Sequence, residues 1–431
     1  MDILLVNAPV KVSSEHACLT PPLGLAYVAS VLLENGYSTS AIDFNITGFI
    51  PEQLELALKS GETRILGIST HTETYLSGLR IAEVAKRLNP DIKVVFGGPH
   101  ATVMYKQVAI EDNVDVVVKG EGEYTMLELA DHFIKDKGDL SQIRGIAYRE
   151  NGTVKTTPER PFIETPDDLP FPARWLFPLP LYKVPGTVLV SRGGCPFTCH
   201  FCAVNNIWKG RRCYRKPQNV LEEVMSILNG GIARQITFLD DTLSLDREPI
   251  LNLCNLLKTM KQETDLKWIC STRVDLIDKE LLREMYEAGC CNIQYGVEAG
   301  SQKILNSIGK RITIEQVRNA VKTTINSGIQ VTCSFMFPHP EDTEETIREQ
   351  IRLMKELLEM GAEETLALTT PFPGTYDYDH AEELGIKILA NSWDEYDAKH
   401  LIIETRNLNK ERLGKLLEEL VLAIGLKGKS I

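Results

Sequence analysis

Cys195, Cys199 and Cys202 lie in the run Arg192-Gly193-Gly194-Cys195-Pro196-Phe197-Thr198-Cys199-His200-Phe201-Cys202, just past the apolar Val188-Leu189-Val190. Thiolates on so short a loop can converge on one metal centre, and soft sulfur selects iron–sulfur clusters, zinc or Cu(I). A closed structural zinc site takes four ligands, usually from two paired knuckles. Here the spacing is C-x3-C-x2-C, and the chain holds no second C-x2-C pair. A 4Fe–4S cluster held by three thiolates leaves one iron open to a small molecule. A zinc loop and three unrelated core cysteines are the competing readings.

The chain has 10 cysteines in 431 residues, too sparse for a disulfide scaffold. Cys254, Cys270, Cys290, Cys291 and Cys333 stand in apolar surroundings and are expected as buried thiols. Cys18 and Cys213 fall in loops near the candidate sites. Past the cysteine loop runs Lys209-Gly210-Arg211-Arg212-Cys213-Tyr214-Arg215-Lys216. This basic stretch reads either as a solvated loop or as an attractor of carboxylates and phosphates.

The elements that must position these residues show in the apolar patterning. Over residues 1–140, short apolar runs at 3–6, 39–42, 65–69, 94–96 and 114–118 alternate with amphipathic helical segments. That alternation predicts a doubly wound, Rossmann-like α/β sheet with its ligand crevice at the carboxyl ends of the strands. The strand tips carry Asn7-Ala8-Pro9, Ser69-Thr70-His71-Thr72, Gly97-Gly98-Pro99-His100 and Gly120-Glu121-Gly122-Glu123. Residues 141–186 hold the hairpin signal Asn151-Gly152 and then a proline-rich stretch, expected as an extended linker. Over residues 187–375 six strands follow, at 187–191, 235–239, 267–271, 292–295, 330–335 and 365–368, the first five each leading into a helix. Successive parallel strands with helical crossovers predict a partial (β/α)6 barrel with its site at the strands' carboxyl ends. Residues 376–431 form a short helical C-terminal region, whose Leu413, Leu416, Leu417 and Leu420 mark a docked amphipathic helix. Its aromatic and acidic start, Tyr376-Asp377-Tyr378-Asp379-His380, is expected to close one side of the site.

His339 stands between Pro338 and Pro340 after the fifth barrel strand. An imidazole there is a candidate catalytic residue, as substrate contact or proton acceptor, because it titrates near neutral pH. The plainer reading is an imidazole packed in its own loop.

The net charge of −12 argues against a general nucleic-acid binder. No stretch reaches the roughly 18 consecutive apolar residues of a membrane span. The opening Met1-Asp2-Ile3-Leu4-Leu5-Val6 lacks a basic n-region and reads as a buried strand, so a cytoplasmic protein is expected.

The cysteine spacing, with Phe201 directly before the third cysteine, resembles the signature of the radical S-adenosylmethionine (SAM) superfamily. In that superfamily the open iron chelates SAM, whose sulfonium is cleaved by one electron to give a 5′-deoxyadenosyl radical. The resemblance implies that Phe201, Asp240, Asp241, Ser271, Arg273 and Glu298 line the SAM site. A carboxylate at the second strand tip suits the SAM amino group, and Arg273 can grip a carboxylate with two prongs. Pro22-Leu23-Gly24 and the glycine-bearing tips resemble the cobalamin-binding domain fused to many radical SAM enzymes. Cobalamin contacts are thereby implied for Asn7, Pro22, Leu23, Gly24, Ser69, Thr70, His71, Thr72, Gly97, Gly98, Pro99, His100, Gly120, Glu121, Gly122 and Glu123. The D-x-H-x-x-G motif that supplies a cobalt-binding histidine in other cobalamin proteins is absent, as is common in this subclass. No lower cobalt ligand is therefore assigned to His71 or His100.

Together these resemblances imply a cobalamin-dependent radical SAM enzyme, foremost a methyltransferase. It would move a methyl from methylcobalamin to a substrate carbon after radical hydrogen abstraction. Cyclisation or rearrangement without methyl transfer is the alternative, and a non-catalytic metal- or tetrapyrrole-binding module the weaker one. The implied cofactors are a 4Fe–4S cluster, SAM and cobalamin. The implied partners are a small-molecule substrate, with lipid or peptide also open, and an external one-electron donor such as flavodoxin or ferredoxin.

Overall fold

The computed structural model describes residues 1–10, 19–59, 61–261 and 264–425, so Cys18 lies outside the described residues. The chain divides into two compact units, Met1–Pro185 and Gly186–Ile431.

In the first unit, apolar runs become strands buried on both faces, as parallel strands under helices must be. They are β1 (Ile3–Asn7), β2 (Thr39–Asp43), β3 (Ile65–Ser69), β4 (Lys93–Gly97) and β5 (Val116–Val118). The sheet order is β2-β1-β3-β4-β5, all parallel, extended by antiparallel β6 (Ile146–Glu150) and β7 (Thr153–Thr156). The order reverses between β1 and β3, which opens a crevice outside the strands' carboxyl ends. Asn151 and Gly152 both take left-handed backbone angles, φ 51° and 75°, as a tight two-residue hairpin turn requires. The expected connector hairpin is thus an edge of this sheet. The proline-rich stretch also packs on the first unit: the Tyr182 hydroxyl donates to Asp43 Oδ2 at 2.7 Å and the Ala173 amide to the Ala26 carbonyl at 2.9 Å.

The second unit holds six parallel strands in the order β15-β14-β13-β12-β11-β8, an open sheet rather than a closed barrel. They are β8 (Thr187–Val188), β11 (Gln235–Phe238), β12 (Lys267–Thr272), β13 (Cys290–Glu298), β14 (Gln330–Phe337) and β15 (Glu363–Leu368). Between β8 and β11 a separate antiparallel ribbon intervenes, β9 (Ser191–Gly193) with β10 (Arg212–Tyr214). Along β14, Val331, Cys333, Phe335 and Phe337 are buried in the unit's core, while Thr332, Ser334 and Met336 on the other face are only partly covered. The expected burial holds for Cys254, Cys270, Cys290 and Cys333, whereas Cys291 is half-buried. The helix Lys410–Ala423 docks through Leu413, Leu416 and Leu420 into the same core. No helix among the described residues is long and apolar enough to cross a membrane.

One group in this unit opposes folding. Glu364, paired in register with Cys333, buries both carboxylate oxygens without a hydrogen-bond partner. Burial pushes its carboxyl from the ordinary 4.5 up to about 8. A raised acid stays protonated in the fold while the unfolded chain ionises, so stability falls as pH rises between those two values. Glu364→Leu is expected to stabilise by about 1–3 kcal/mol. Thermal denaturation at several pH values checks this: the gain should be larger at pH 8 than at pH 5. A uniform loss would mean that the carboxyl has a partner.

Candidate active site

The cysteine loop springs from the β9–β10 ribbon. Gly193 has φ 109°, and a Cβ there would stand 2.2 Å from the Arg211 carbonyl oxygen, so only glycine closes the ribbon at this point. The loop is then tied down from outside. The His200 amide donates to the Ile308 carbonyl at 3.0 Å, the Asp377 amide donates to the His200 carbonyl at 3.1 Å, and Thr242 Oγ1 donates to Cys195 Sγ at 3.7 Å. The described cysteines are all free thiols, and Cys195, Cys199 and Cys202 are half-buried. Burial pushes the Cys202 thiol up to about 11. Burial raises Cys199 too, and the Lys310 and Arg273 charges pull it back down.

The two aspartates after β11 separate sharply. Asp240 is buried and accepts from the Val190 amide at 2.8 Å, from the Ser191 amide at 2.9 Å and hydroxyl at 2.5 Å, and from Arg212 at 3.3 Å. Burial raises its carboxyl while the Arg212 charge and these bonds oppose the rise. These bonds tie the base of the cysteine loop to the end of β11, and they occupy the carboxylate that was expected at the SAM site. Asp241 is exposed, with its carboxyl raised first by the dense protein around it and then by the Asp240 charge.

Of the basic run, Lys209, Arg211 and Lys216 are exposed, as a solvated loop would have them, while Arg212 and Arg215 fit neither sequence reading. Arg212 is spent on Asp240, and Arg215 is buried against Glu223 while also donating to the Leu189 carbonyl at 2.8 Å and to Asn219 Oδ1 at 2.8 Å. These two cations hold the ribbon in place rather than attracting anions.

At the end of β12, Ser271 is half-buried and Arg273 is buried. Arg273 Nε and Nη2 each donate to Asp275 at 2.9 Å, and Nη2 also reaches the Lys310 carbonyl at 2.8 Å. Its guanidinium lies 3.7 Å from the Phe197 ring centre, which places a positive charge on the cysteine loop. At the end of β13, a register shift lies between Gly296 and Glu298, and Glu298 takes φ 71°. That left-handed backbone is costly for a residue with a side chain. Two contacts hold it there: Glu298 Oε1 pairs with Lys310 Nζ at 2.8 Å, and its carbonyl meets His339 Nε2 at 3.1 Å. Any Cβ on Gly296 would fall 2.3 Å from Glu298 Oε1, so that glycine makes room for the pair. Lys310 Nζ also sits 6.0 Å from the Phe201 ring centre.

Of the two readings of His339, the imidazole packed in its own loop is the one its surroundings support. Its ring is fully buried, and its amide donates to Asp342 Oδ2 at 2.7 Å. The contact its ring makes is with the Glu298 carbonyl. The sequence reading missed Lys310 and Asp275. Their signals were present, a lysine after the turn glycine Gly309 and an acid two residues past Arg273, but only the fold shows which charges they face.

The strand tips of the first unit also divide. His100 is buried, with Nδ1 3.1 Å from Thr72 Oγ1 and its ring 4.5 Å from that of Tyr75. Burial and then the His71 charge bring its pKa down to about 4. Glu121 accepts from the Ile163 amide at 2.7 Å, Asn7 Nδ2 donates to Asp43 at 2.9 Å, and Glu123, Thr70, Thr72 and Leu23 are buried. A Cβ at Gly98 would meet the Thr70 carbonyl at 2.6 Å, and one at Gly122 would meet Val28 at 3.3 Å. These groups are packed or hydrogen-bonded within the tips. By contrast a Cβ at Gly24 or Gly120 would meet nothing within 4 Å, and one at Gly97 only Val118 at 4.0 Å. Pro22, Ser69, His71 and Pro99 retain partial or full exposure beside these positions.

The Radical SAM superfamily profile matches residues 189–354, and the B12 binding domain profile matches residues 13–130. An uncharacterised methyltransferase of Pyrococcus horikoshii is 33% identical over 100% of this chain and 93% of its own. The chain belongs to the cobalamin-binding radical SAM family. Another relative of this radical SAM protein is the anaerobic magnesium-protoporphyrin IX monomethyl ester cyclase of Rubrivivax gelatinosus, 29% identical over 93% of this chain and 72% of its own. The fold matches that of TsrM, a radical SAM methyltransferase from Kitasatospora setae solved with cobalamin and a 4Fe–4S cluster. The TM-score is 0.78 at 18% identity, covering 99% of this chain and 89% of that one.

The residues present suit the family's cofactors. Among the described residues no three His, Cys, Asp or Glu side chains form a site for a single metal ion. A cubane cluster asks instead for thiolates spread over different irons, and three unpaired thiols on a loop flanked by Arg273 and Lys310 are that donor set. The cations also offset the negative charge that thiolate ligation brings. In the first unit, the open space over Gly24, Gly97 and Gly120 is where a large planar ligand can approach the backbone closely.

Proposed function

We propose that this radical SAM protein is a C-methyltransferase acting on a small molecule. The observation that carries the reading is the second unit's strand-end constellation, with three free thiols beside Arg273, Lys310 and Glu298, in a chain aligned end to end with a methyltransferase relative. When bound, the cluster and SAM would supply a radical that abstracts a hydrogen atom from a substrate carbon, and cobalamin would supply the methyl carrier.

The chain's own residues bind, orient and balance charge. Cys195, Cys199 and Cys202 hold the cluster. Exposed Asp241 is the acceptor available to the SAM amino group, since Asp240 is spent on the loop. Arg273 keeps its Nη1 donors for the SAM carboxylate, because Nε and Nη2 already serve Asp275 and the Lys310 carbonyl. Glu298, held by Lys310, presents an oxygen to the SAM ribose or amine. An external one-electron carrier such as flavodoxin or ferredoxin supplies the reducing equivalent.

Cyclisation without methyl transfer is the second reading, favoured by the likeness to the Rubrivivax cyclase. Anaerobically reconstituted protein given methyl-labelled SAM and a candidate substrate separates the two. Label in the product supports methyl transfer, deoxyadenosine with an unlabelled, altered product supports cyclisation, and no SAM cleavage at all ends both.

Cobalamin uptake has its own test. Gly97 is not in a left-handed conformation and has open space above it, so Gly97→Leu should leave the tip folded while filling the ligand's place. Cobalamin affinity is expected to fall at least about 100-fold, a loss of roughly 2.7 kcal/mol, with cluster content unchanged. Uptake equal to that of the parent protein would remove the first unit's assigned role. Gly98 is a poor probe, because a side chain there would clash with Thr70 at the tip of the neighbouring strand β3.

A further inference from the structure

Two histidines stand at the described strand tips of the first unit, and only one has its ring in use. His100 is buried and spends its ring on Thr72 and Tyr75. His71 is exposed, and among the described residues its ring has no hydrogen-bond or stacking partner. Its backbone, by contrast, is fastened on every side. The Thr70 amide donates to the Gly97 carbonyl at 3.0 Å, and the His71 amide donates to Thr74 Oγ1 at 2.9 Å. The Thr74 amide returns to the His71 carbonyl at 3.2 Å. Thr70, Thr72 and Thr74 are all buried, so the loop turns its threonines inward and holds the imidazole out. A free ring on a fixed backbone is how a ligand-binding group is presented ready for use.

The place of that ring is informative. Asn7 on β1 and Gly97 on β4 are both in register with Ser69 on β3, and the sheet order reverses between β1 and β3. A crevice opens at such a reversal, beyond the strands' carboxyl ends. His71 follows directly on the threonine that is bonded to Gly97, and a Cβ on Gly97 would meet only Val118, at 4.0 Å. The imidazole therefore borders the open backbone that suits a corrin. A corrin supplies cobalt with its in-plane nitrogens and leaves the axial positions to other donors, so one side chain can complete the site. Neutral imidazole is the commonest protein ligand for a metal. The protein around His71 lowers its pKa from the ordinary 6.5, so the ring is neutral at physiological pH and has no proton to shed on binding. The carboxylates of the described tips, Glu121 and Glu123, are buried.

We propose that His71 is an axial ligand to the cobalt of cobalamin bound on the first unit. One ring nitrogen gives its lone pair to the metal, the other keeps its proton, and water or the cofactor's own benzimidazole leaves that position. No electron is transferred, and cobalt keeps its oxidation state. Metal-bound histidines are usually braced by a carboxylate or carbonyl on the second nitrogen. His71 has no such brace among the described residues, so its bond adds little to the total hold on the cofactor. The inference rests on cobalamin binding by the first unit.

The test loads the full chain with cob(II)alamin and records its electron paramagnetic resonance spectrum. One axial nitrogen-14 should split each resolved cobalt line into a triplet in the parent protein. Protein made with nitrogen-15 histidine should show a doublet instead, which the cofactor's unlabelled benzimidazole cannot give. His71→Ala should bind cob(II)alamin within about 10-fold of the parent's affinity, and the histidine-derived splitting should be gone. A triplet that histidine labelling leaves unchanged assigns the nitrogen to the benzimidazole and overturns the proposal. A parent spectrum without nitrogen splitting overturns it too, as does a doublet that survives in His71→Ala. In each of these cases cobalamin is still bound and the first unit keeps its role. Protein that takes up no cobalamin overturns that role and the proposal together.

Discussion

Replacing any one of Cys195, Cys199 or Cys202 by alanine is expected to abolish both the broad iron–sulfur absorption and all 5′-deoxyadenosine formation. Each thiolate takes its own iron, and nothing beside the loop can replace a lost one. Beside Cys195 stands Thr242, a hydroxyl that already donates to its Sγ at 3.7 Å, and neutral hydroxyls are poor substitutes for soft thiolate. The loop should survive the change, since its shape comes from Gly193, from the amide of His200 on Ile308 and from Asp240 rather than from the sulfurs. Thermal stability of the cofactor-free protein should therefore move little. Cys213→Ala is the matched control, because Cys213 sits on β10 opposite Arg192, on the ribbon and not in the loop. Full SAM cleavage by any of the three loop variants would falsify the cluster assignment, and loss of the cluster in Cys213→Ala would mean that a fourth thiolate takes part.

Much of this arrangement could be read from local pattern alone. Parallel strands buried on both faces write themselves as apolar runs, so Ile3–Asn7, Ile65–Ser69 and Lys93–Gly97 were legible to within a residue or two. The strands of the second unit, buried mainly on one face, were legible from short runs rich in apolar and β-branched residues that lead into helical patterns. The cysteine loop was legible because its chemistry depends on spacing along the chain. What escaped depends on distance across it. A single strand over 187–191 was expected, yet the backbone leaves the sheet after Val188 and Ser191 begins a ribbon with Tyr214, a pairing 23 positions away that carries no local signal. Asp240 and Asp241 are the same residue type side by side, and only the fold shows that one faces Val190, Ser191 and Arg212 while the other faces solvent. His339 drew attention through its place after the fifth strand, but position along the chain says nothing of what the ring meets. Lys310 is a single charge in an unremarkable stretch, and it matters through Glu298 and Arg273 from other strand ends.

Asp240→Ala is expected to be the most damaging single change outside the cysteines, and to act through stability. The side chain gathers two amides, a hydroxyl and a guanidinium, all buried. Removing it leaves Arg212, whose side chain is 7% exposed, as an uncompensated buried charge. Breaking such a pair from one side costs about 3–5 kcal/mol, more than the pair itself contributes, because the remaining charge stays desolvated. The two freed amides of Val190 and Ser191 add to that loss. The damage falls where β8 hands the chain to the ribbon, so the cysteine loop should lose its footing and cluster content should drop though every thiol is present. Asp241→Ala makes the contrast. Its side chain is exposed and should cost within about 0.5 kcal/mol, leaving cluster content intact and weakening SAM binding alone. Denaturation of the cofactor-free proteins, iron and sulfide content after reconstitution, and SAM affinity distinguish these two fates. If Asp240→Ala unfolds at the parent's denaturant midpoint and retains full iron, Asp240 is not the loop's anchor. If Asp241→Ala binds SAM as tightly as the parent, the amino group of SAM finds its acceptor elsewhere, with Glu298 the next carboxylate in line.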